Sequence, residues 1–268
     1  MMIKQLPVTL AGEEAVNLYI LSVTLPLLAD VDSEEPKVLG TGTLIRHEDR
    51  LFIVTALHVL KEDQQDLQSP DIDFERVAFP TAPIKGKIHT LGSICVYRPK
   101  AAPTLDVVII EIIDDEVRGV LADGWRAISL DQVAPFPADG PMMANGYLLE
   151  GASAKDGNIG QKFFNLGTEP LDHVPEVEDA TEFDRFLLLK REGQLADGAF
   201  GEMPSLRGMS GTSVWTLRKI EGLWDPTIAL KAVGIQTSAK PGHFVRCLEW
   251  SAALGIFRST EVGFSSPP

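Results

Sequence analysis

The chain has 268 residues, enough for one large domain or two smaller ones with their own cores. Its 24 Lys and Arg stand against 38 Asp and Glu, and the resulting net charge of −14 argues against a phosphate-binding face, which needs a basic surface. The two cysteines, Cys95 and Cys247, are far apart and fit no metal-ligand spacing; they read as buried free thiols rather than as part of a disulfide-stapled secreted domain.

No apolar stretch is long enough to span a bilayer, so no membrane association is expected. The apolar run 15–28 follows Glu13 and Glu14 instead of a basic flank, and no clean small-residue cleavage site comes after it. Its alternation through Leu18, Ile20, Ser22 and Thr24 predicts a strand over 17–25, and the expected compartment is the cytoplasm. Further β-rich runs cover 38–46, 51–56, 76–79, 85–96 and 106–112. A second set follows over 142–149, 163–166, 183–190, 213–217, 232–237 and 243–247. Helical signals are short, over 55–60, 114–121 and 249–254. Many short strands with regular turns predict an all-β sandwich or barrel architecture rather than βαβ units. Pro135, Pro137 and Pro141 cluster around 128–140, which reads as the connection between two β halves. The segment 151–181, rich in Gly, Asp and Glu, reads as a long surface excursion, and 264–268 as a disordered tail. The expected domains are 1–130 and 131–258, followed by a flexible tail over 259–268.

Chemistry concentrates in Leu206-Arg207-Gly208-Met209-Ser210-Gly211-Thr212-Ser213-Val214, where a serine sits between glycines before an apolar run. Two partners lie upstream: His58, after the apolar run 51–54, and Asp106, opening the run 107–110. A serine hydroxyl is a weak nucleophile that needs a base within hydrogen-bond reach, and an imidazole suits that task near neutral pH. The imidazole in turn needs an acceptor on its other nitrogen, and the tetrahedral intermediate needs donors for its oxyanion. Gly208 and Ser210 offer backbone N–H groups for that purpose. Each motif alone also has an ordinary reading: a turn glycine, a partly buried histidine, a strand-capping aspartate. The weight lies in their combination and order. His47 sits in a polar turn beside Glu48 and Asp49, His173 lies in the excursion, and His89 and His243 lie in strand-like runs without a turn context.

These residues resemble the trypsin-like, chymotrypsin-fold serine peptidases. The stretch Val38-Leu39-Gly40-Thr41-Gly42-Thr43-Leu44-Ile45 resembles that family's strand before the catalytic histidine, and Thr55-Ala56-Leu57-His58 its Thr-Ala-x-His motif. Asp106-Val107-Val108-Ile109-Ile110, Gly208-Met209-Ser210-Gly211 and Ala232-Val233-Gly234-Ile235-Gln236-Thr237 resemble its aspartate strand, its nucleophile loop and the strand lining its cleft. The order His, Asp, Ser and intervals of 48 and 104 residues suit two six-stranded antiparallel barrels with the site between them.

The resemblance implies a serine endopeptidase acting on protein or peptide substrates through an acyl-enzyme, with no cofactor and no metal. Ser210 would be the nucleophile, His58 the base and then acid, Asp106 the orienter, and the Gly208 and Ser210 amides the oxyanion hole. Thr237 would support Asp106 through its hydroxyl, and Thr237, Ser238 and Ala239 would form one wall of the cleft. Pro204, six residues before Ser210, lies near where the family sets the floor of its specificity pocket. No acid stands there, which implies a small or apolar side chain before the scissile bond, although Glu202 nearby leaves a basic preference open. Met209 departs from the Asp that secreted members pair with a new N-terminus, so the site forms unaided or is ordered by an activating protein partner. These features are similar to microbial intracellular members. The alternative function is a protease-fold binding or regulatory module with little turnover. An esterase of the α/β-hydrolase type is disfavoured, because that fold runs Ser, acid, His.

Overall fold

The computed structural model describes residues 10–29, 37–99, 104–155, 158–194, 200–218 and 225–261. The chain enters through helix α1 (Leu10–Val23) rather than through the expected strand. Val16, Tyr19, Ile20 and Val23 recur at helical spacing and all are buried, while Leu18 is exposed on the opposite side. That stripe overrides the alternation read over 17–25, and only its last two residues enter strand β1 (Thr24–Ala29). Every residue of β1 is buried, so this strand carries no polar-apolar alternation to reveal it.

Strands β2 (Lys37–His47), β3 (Arg50–Thr55), β4 (Ala78–Pro80), β5 (Gly86–Thr90), β6 (Ile94–Tyr97) and β7 (Val108–Ile112) complete the first curled sheet. Its hydrogen-bonded order is β5-β4-β1-β2-β3-β7-β6, antiparallel throughout. The run 85–96 is thus two strands, broken where Gly92 takes a positive φ of 61°. Seven antiparallel strands replace the six expected. After helix α2 (Asp115–Gly124), capped by the Asp114 side chain, the short β8 (Ile128–Ser129) adds to β2 in parallel. Leu25, Leu27, Leu44, Ile53, Val59, Phe79 and Ile110 fill the inner side.

The second half begins with the hairpin β9 (Met142–Lys155) and β10 (Asn158–Thr168). Residues 151–168, expected to belong to a surface excursion, are therefore largely strand. Beyond them come β11 (Asp184–Leu188), the separate ribbon β12 (Glu192–Gln194) and β13 (Phe200–Glu202), β14 (Ser213–Leu217), β15 (Leu230–Lys240) and β16 (Phe244–Glu249). A one-turn helix α3 (Pro226–Ala229) precedes β15. The order is β10-β9-β14-β15-β16-β11. Leu188 N–H donates to the Glu169 carbonyl (2.8 Å) and Leu171 N–H to the Phe186 carbonyl (2.9 Å), which brings the last strand back to the end of β10. The fold is all-β, two curled antiparallel sheets in a double-barrel arrangement joined edge to edge where Gly86 and Lys87 pair with Ile159 and Asn158.

Beside a cluster of its own, each half contributes to a shared one. The α1 stripe, Phe52 and Val54 from β3, Met143 from β9, Trp215 from β14 and Ala232 from β15 form one apolar cluster with Trp250, Ile256 and Phe257 of the C-terminal helix α4 (Trp250–Glu261). Burying each such large side chain contributes about 1.5–3 kcal/mol, so this shared layer strongly favours one relative placement of the two sheets. Residues 259–261 of the expected tail are helical, and 264–268 lie outside the described residues. Both cysteines are free; Cys247 is buried as expected, but Cys95 is exposed on β6. Among the described residues no helix is long and apolar enough to cross a membrane.

Candidate active site

The apolar strand β3 delivers the chain to Thr55, and a 3-10 turn, Leu57–Leu60, follows. Leu57, Val59 and Leu60 point into the core, which leaves His58 as the half-buried residue of the turn. Asp106 stands just before β7, the neighbour of β3, so the two strand ends bring the pair together across 48 residues. One Asp106 oxygen meets His58 Nδ1 at 2.7 Å and the other accepts the His58 backbone N–H at 2.9 Å. The carboxylate thereby fixes both the ring and the turn that carries it. A proton on Nδ1 facing the carboxylate leaves Nε2 as the basic nitrogen.

Ser210 lies in a loop of the other half that is bonded to β2. Thr41 on β2 pins its loop twice: Thr41 Oγ1 donates to the Gly208 carbonyl (2.7 Å) and Thr41 N–H to the Ser210 carbonyl (2.8 Å). Gly211 N–H donates to the Gln236 carbonyl (2.7 Å), and Thr43 and Ser213 share a hydroxyl bond of 2.7 Å. The loop needs glycine at two points. Gly208 has φ +96° and Gly211 φ +90°, both in the left-handed region. A Cβ on Gly211 would stand 2.0 Å from Thr55 Oγ1 and 2.9 Å from the Ala56 nitrogen, so the nucleophile loop lies directly against the segment that leads to His58.

Two amide donors are left over. Met209 N–H donates to the Leu206 carbonyl (3.1 Å), whereas the Gly208 and Ser210 N–H groups have no acceptor among the described residues. These are the two amides that the sequence offers as oxyanion donors. Ser210 Oγ rests 3.5 Å from the Thr237 carbonyl rather than bonded to His58. Met209 itself is fully buried among Ala144, Leu148, Leu206 and Val214, an apolar setting with no room for the ion pair of secreted peptidases.

The Thr237 hydroxyl does not support Asp106. It donates to the Arg246 carbonyl (3.3 Å), because the β15–β16 register slips between Gln236 and Ser238 and leaves Thr237 as the extra, bulged residue. Past Gln236, β15 pairs with β16 on one side and with no strand on the other among the described residues, so Thr237, Ser238 and Ala239 lie on an open edge. Pro204 sits half-buried between β13 and Ser210, while Glu202 is exposed opposite Glu192 on the ribbon.

Two features escaped the sequence reading. Thr41, the residue between Gly40 and Gly42, is the clamp on the nucleophile loop; its only sequence signal is the Gly-x-Gly pattern. Behind the bulge, Arg246 donates to Asp184 through Nε (2.6 Å) and Nη2 (2.8 Å), and to the Asp179 carbonyl (2.9 Å). Burial raises the Asp184 carboxyl, but hydrogen bonds from Arg246 and Thr181 outweigh it and hold it below the ordinary value. The hydrogen bond to Asp184 outweighs desolvation and, with the nearby charges of Asp184, Asp106 and Asp179, raises Arg246. A cavity of about 230 Å³ opens beside β10 and β11, lined by Phe164, Leu166, Leu188, Lys190 and Met203, and none of the triad candidates lines it. No group of three or more His, Cys, Asp or Glu side chains able to hold a metal occurs among the described residues. Comparison with protein-family models gives no match, and comparison with curated proteins gives none either.

Proposed function

We propose that the protein is a serine endopeptidase of the trypsin-like type, as the motifs around His58, Asp106 and Ser210 imply. The observation that carries the reading is the two-point grip of Asp106 on His58, 2.7 Å to Nδ1 and 2.9 Å to N, with the Ser210 loop held against Thr55 and Ala56, which lead into the turn of His58. In this reading His58 Nε2 takes the proton from Ser210 Oγ as the oxygen attacks the scissile carbonyl carbon. Asp106 stabilises the imidazolium that results. The Gly208 and Ser210 amides donate to the oxyanion, and His58 returns the proton to the departing amine. Water then cleaves the acyl-enzyme by the same route.

A second reading, a binding or regulatory module of the same fold, draws on the resting contact of Ser210 with Thr237 in place of His58. Labelling with a fluorophosphonate probe separates the two. Wild-type protein is expected to label and Ser210→Ala not to. Turnover is expected to fall about 10⁶-fold in Ser210→Ala, with little further loss on adding His58→Ala, because the pair acts as a unit. No labelling of the wild type would favour the module, equal labelling of both proteins would displace Ser210, and additive losses would break the triad.

A further inference from the structure

Gln236 is 1% exposed, and its Oε1 has no hydrogen-bond partner among the described residues. Its backbone is locked next to the nucleophile: the carbonyl accepts Gly211 N–H (2.7 Å) and the N–H donates to the Thr212 carbonyl (2.8 Å). Its cross-strand partner is Cys247, whose side chain belongs to the inner cluster with Leu187, Met209 and Val245. Facing pairs on neighbouring strands share one side of the sheet, so the Gln236 amide enters the C-terminal barrel beneath the Ser210 loop. Cys247 does not serve it, since the thiol is directed to the Arg185 carbonyl. The side chains of that cluster, the Cys247 thiol aside, are apolar.

A buried amide oxygen without a donor is a standing cost that a leucine or methionine would not carry. Beside a nucleophile, such a group is explained by a ligand that completes it. We propose that Gln236 determines specificity, selecting substrates whose side chain before the scissile bond ends in a neutral hydrogen-bonding group, a carboxamide above all. This rests on the peptidase reading. An apolar substrate side chain would leave the Gln236 oxygen unpaired, and an ionised one would exchange its hydration for the apolar neighbours of the cluster. A carboxamide supplies both a donor and an acceptor to the Gln236 amide. The choice replaces the small or apolar preference that the Pro204 segment implies.

The test uses the full chain carrying Ser210→Ala and four N-acetyl, C-terminally amidated tetrapeptides that differ only in a last residue of Gln, Leu, Glu or Lys. Calorimetric binding is expected to favour the Gln peptide by about tenfold, one properly formed buried hydrogen bond. Adding Gln236→Met is expected to erase that preference and to raise the melting temperature of the unliganded protein. Equal binding of the four peptides, absence of binding included, overturns the inference. So does a preference that survives Gln236→Met, or a lowered melting temperature in that variant. Fluorophosphonate labelling of the wild type reads the peptidase assignment separately: labelling without a Gln preference removes this inference alone, and no labelling removes the assignment beneath it.

Discussion

Gly211→Ala tests whether the two halves meet at the nucleophile loop as described. The new Cβ would lie 2.0 Å from Thr55 Oγ1 and 2.1 Å from the Thr41 carbonyl oxygen, at φ +90°. Restoring even a tight 3.0 Å contact with Thr55 needs a movement of about 1 Å, and a misplacement of that size costs about 10²-fold in rate. The left-handed backbone adds about 1–3 kcal/mol of strain. Gly140 isolates that second effect, since it has φ +102° with nothing within 4 Å of an added Cβ. Gly140→Ala is therefore expected to lose about 1 kcal/mol and to label with fluorophosphonate at the wild-type rate. Gly211→Ala is expected to lose at least about 2 kcal/mol more and to label about 10²-fold slower at a temperature where circular dichroism shows it folded. Equal stability of the two variants, or wild-type labelling by Gly211→Ala, would refute the contact between the Ser210 loop and the His58 segment.

Asp184 gives a pH signature. Burial alone raises its carboxyl, but Arg246 and Thr181 hold it below its ordinary 3.8, so its contribution to stability is present above that pH and is lost as the pH falls through the folded value. Asp184→Asn breaks a pair whose carboxylate side is 2% exposed and whose Arg246 side is 21% exposed, for a loss of about 2–3 kcal/mol near pH 7. Urea titrations should show that deficit shrinking below pH 4, and a deficit constant with pH would contradict the ion-pair account. Met209→Asp places a carboxylate among apolar side chains with no cation, and thermal melting should show a loss above about 4 kcal/mol. Met209→Leu should cost less than about 1.5 kcal/mol. Similar melting curves for the two variants would mean that Met209 is not in the closed core described above.

The strand pattern was largely legible because a half-buried strand must alternate and a turn must use glycine, proline or a polar residue. Strands β2, β3, β7, β14 and β16 begin and end within two residues of the runs read from the sequence. Helix α1 was misread because Leu18, Ile20, Ser22 and Thr24 alternate by accident, while the buried stripe of Val16, Tyr19, Ile20 and Val23 has the helical period. The β9–β10 hairpin was cut short because its distal half is rich in Gly and polar residues, which carry weak strand signals even where the backbone pairs. Of the candidate residues, the structure brings His58 and Asp106 into contact; the sequence singled out both because each stands beside an apolar strand in a local pattern of its own.

Local pattern, then, was written in the sequence: which residues are candidates for nucleophile, base and orienter, and that many short strands would carry them. Only the tertiary structure decided what each of them touches. The 2.7 Å contact of His58 with Asp106 depends on β3 lying beside β7, and the double clamp of Thr41 on the Ser210 loop depends on the packing of one sheet against the other. The bulge that turns the Thr237 hydroxyl to Arg246, the Arg246–Asp184 pair and the unpartnered Gln236 oxygen all follow from the register of β15, β16 and β11. Register is a property of strands far apart in the chain. A shift of one residue would reverse every inward and outward side chain without changing any local preference.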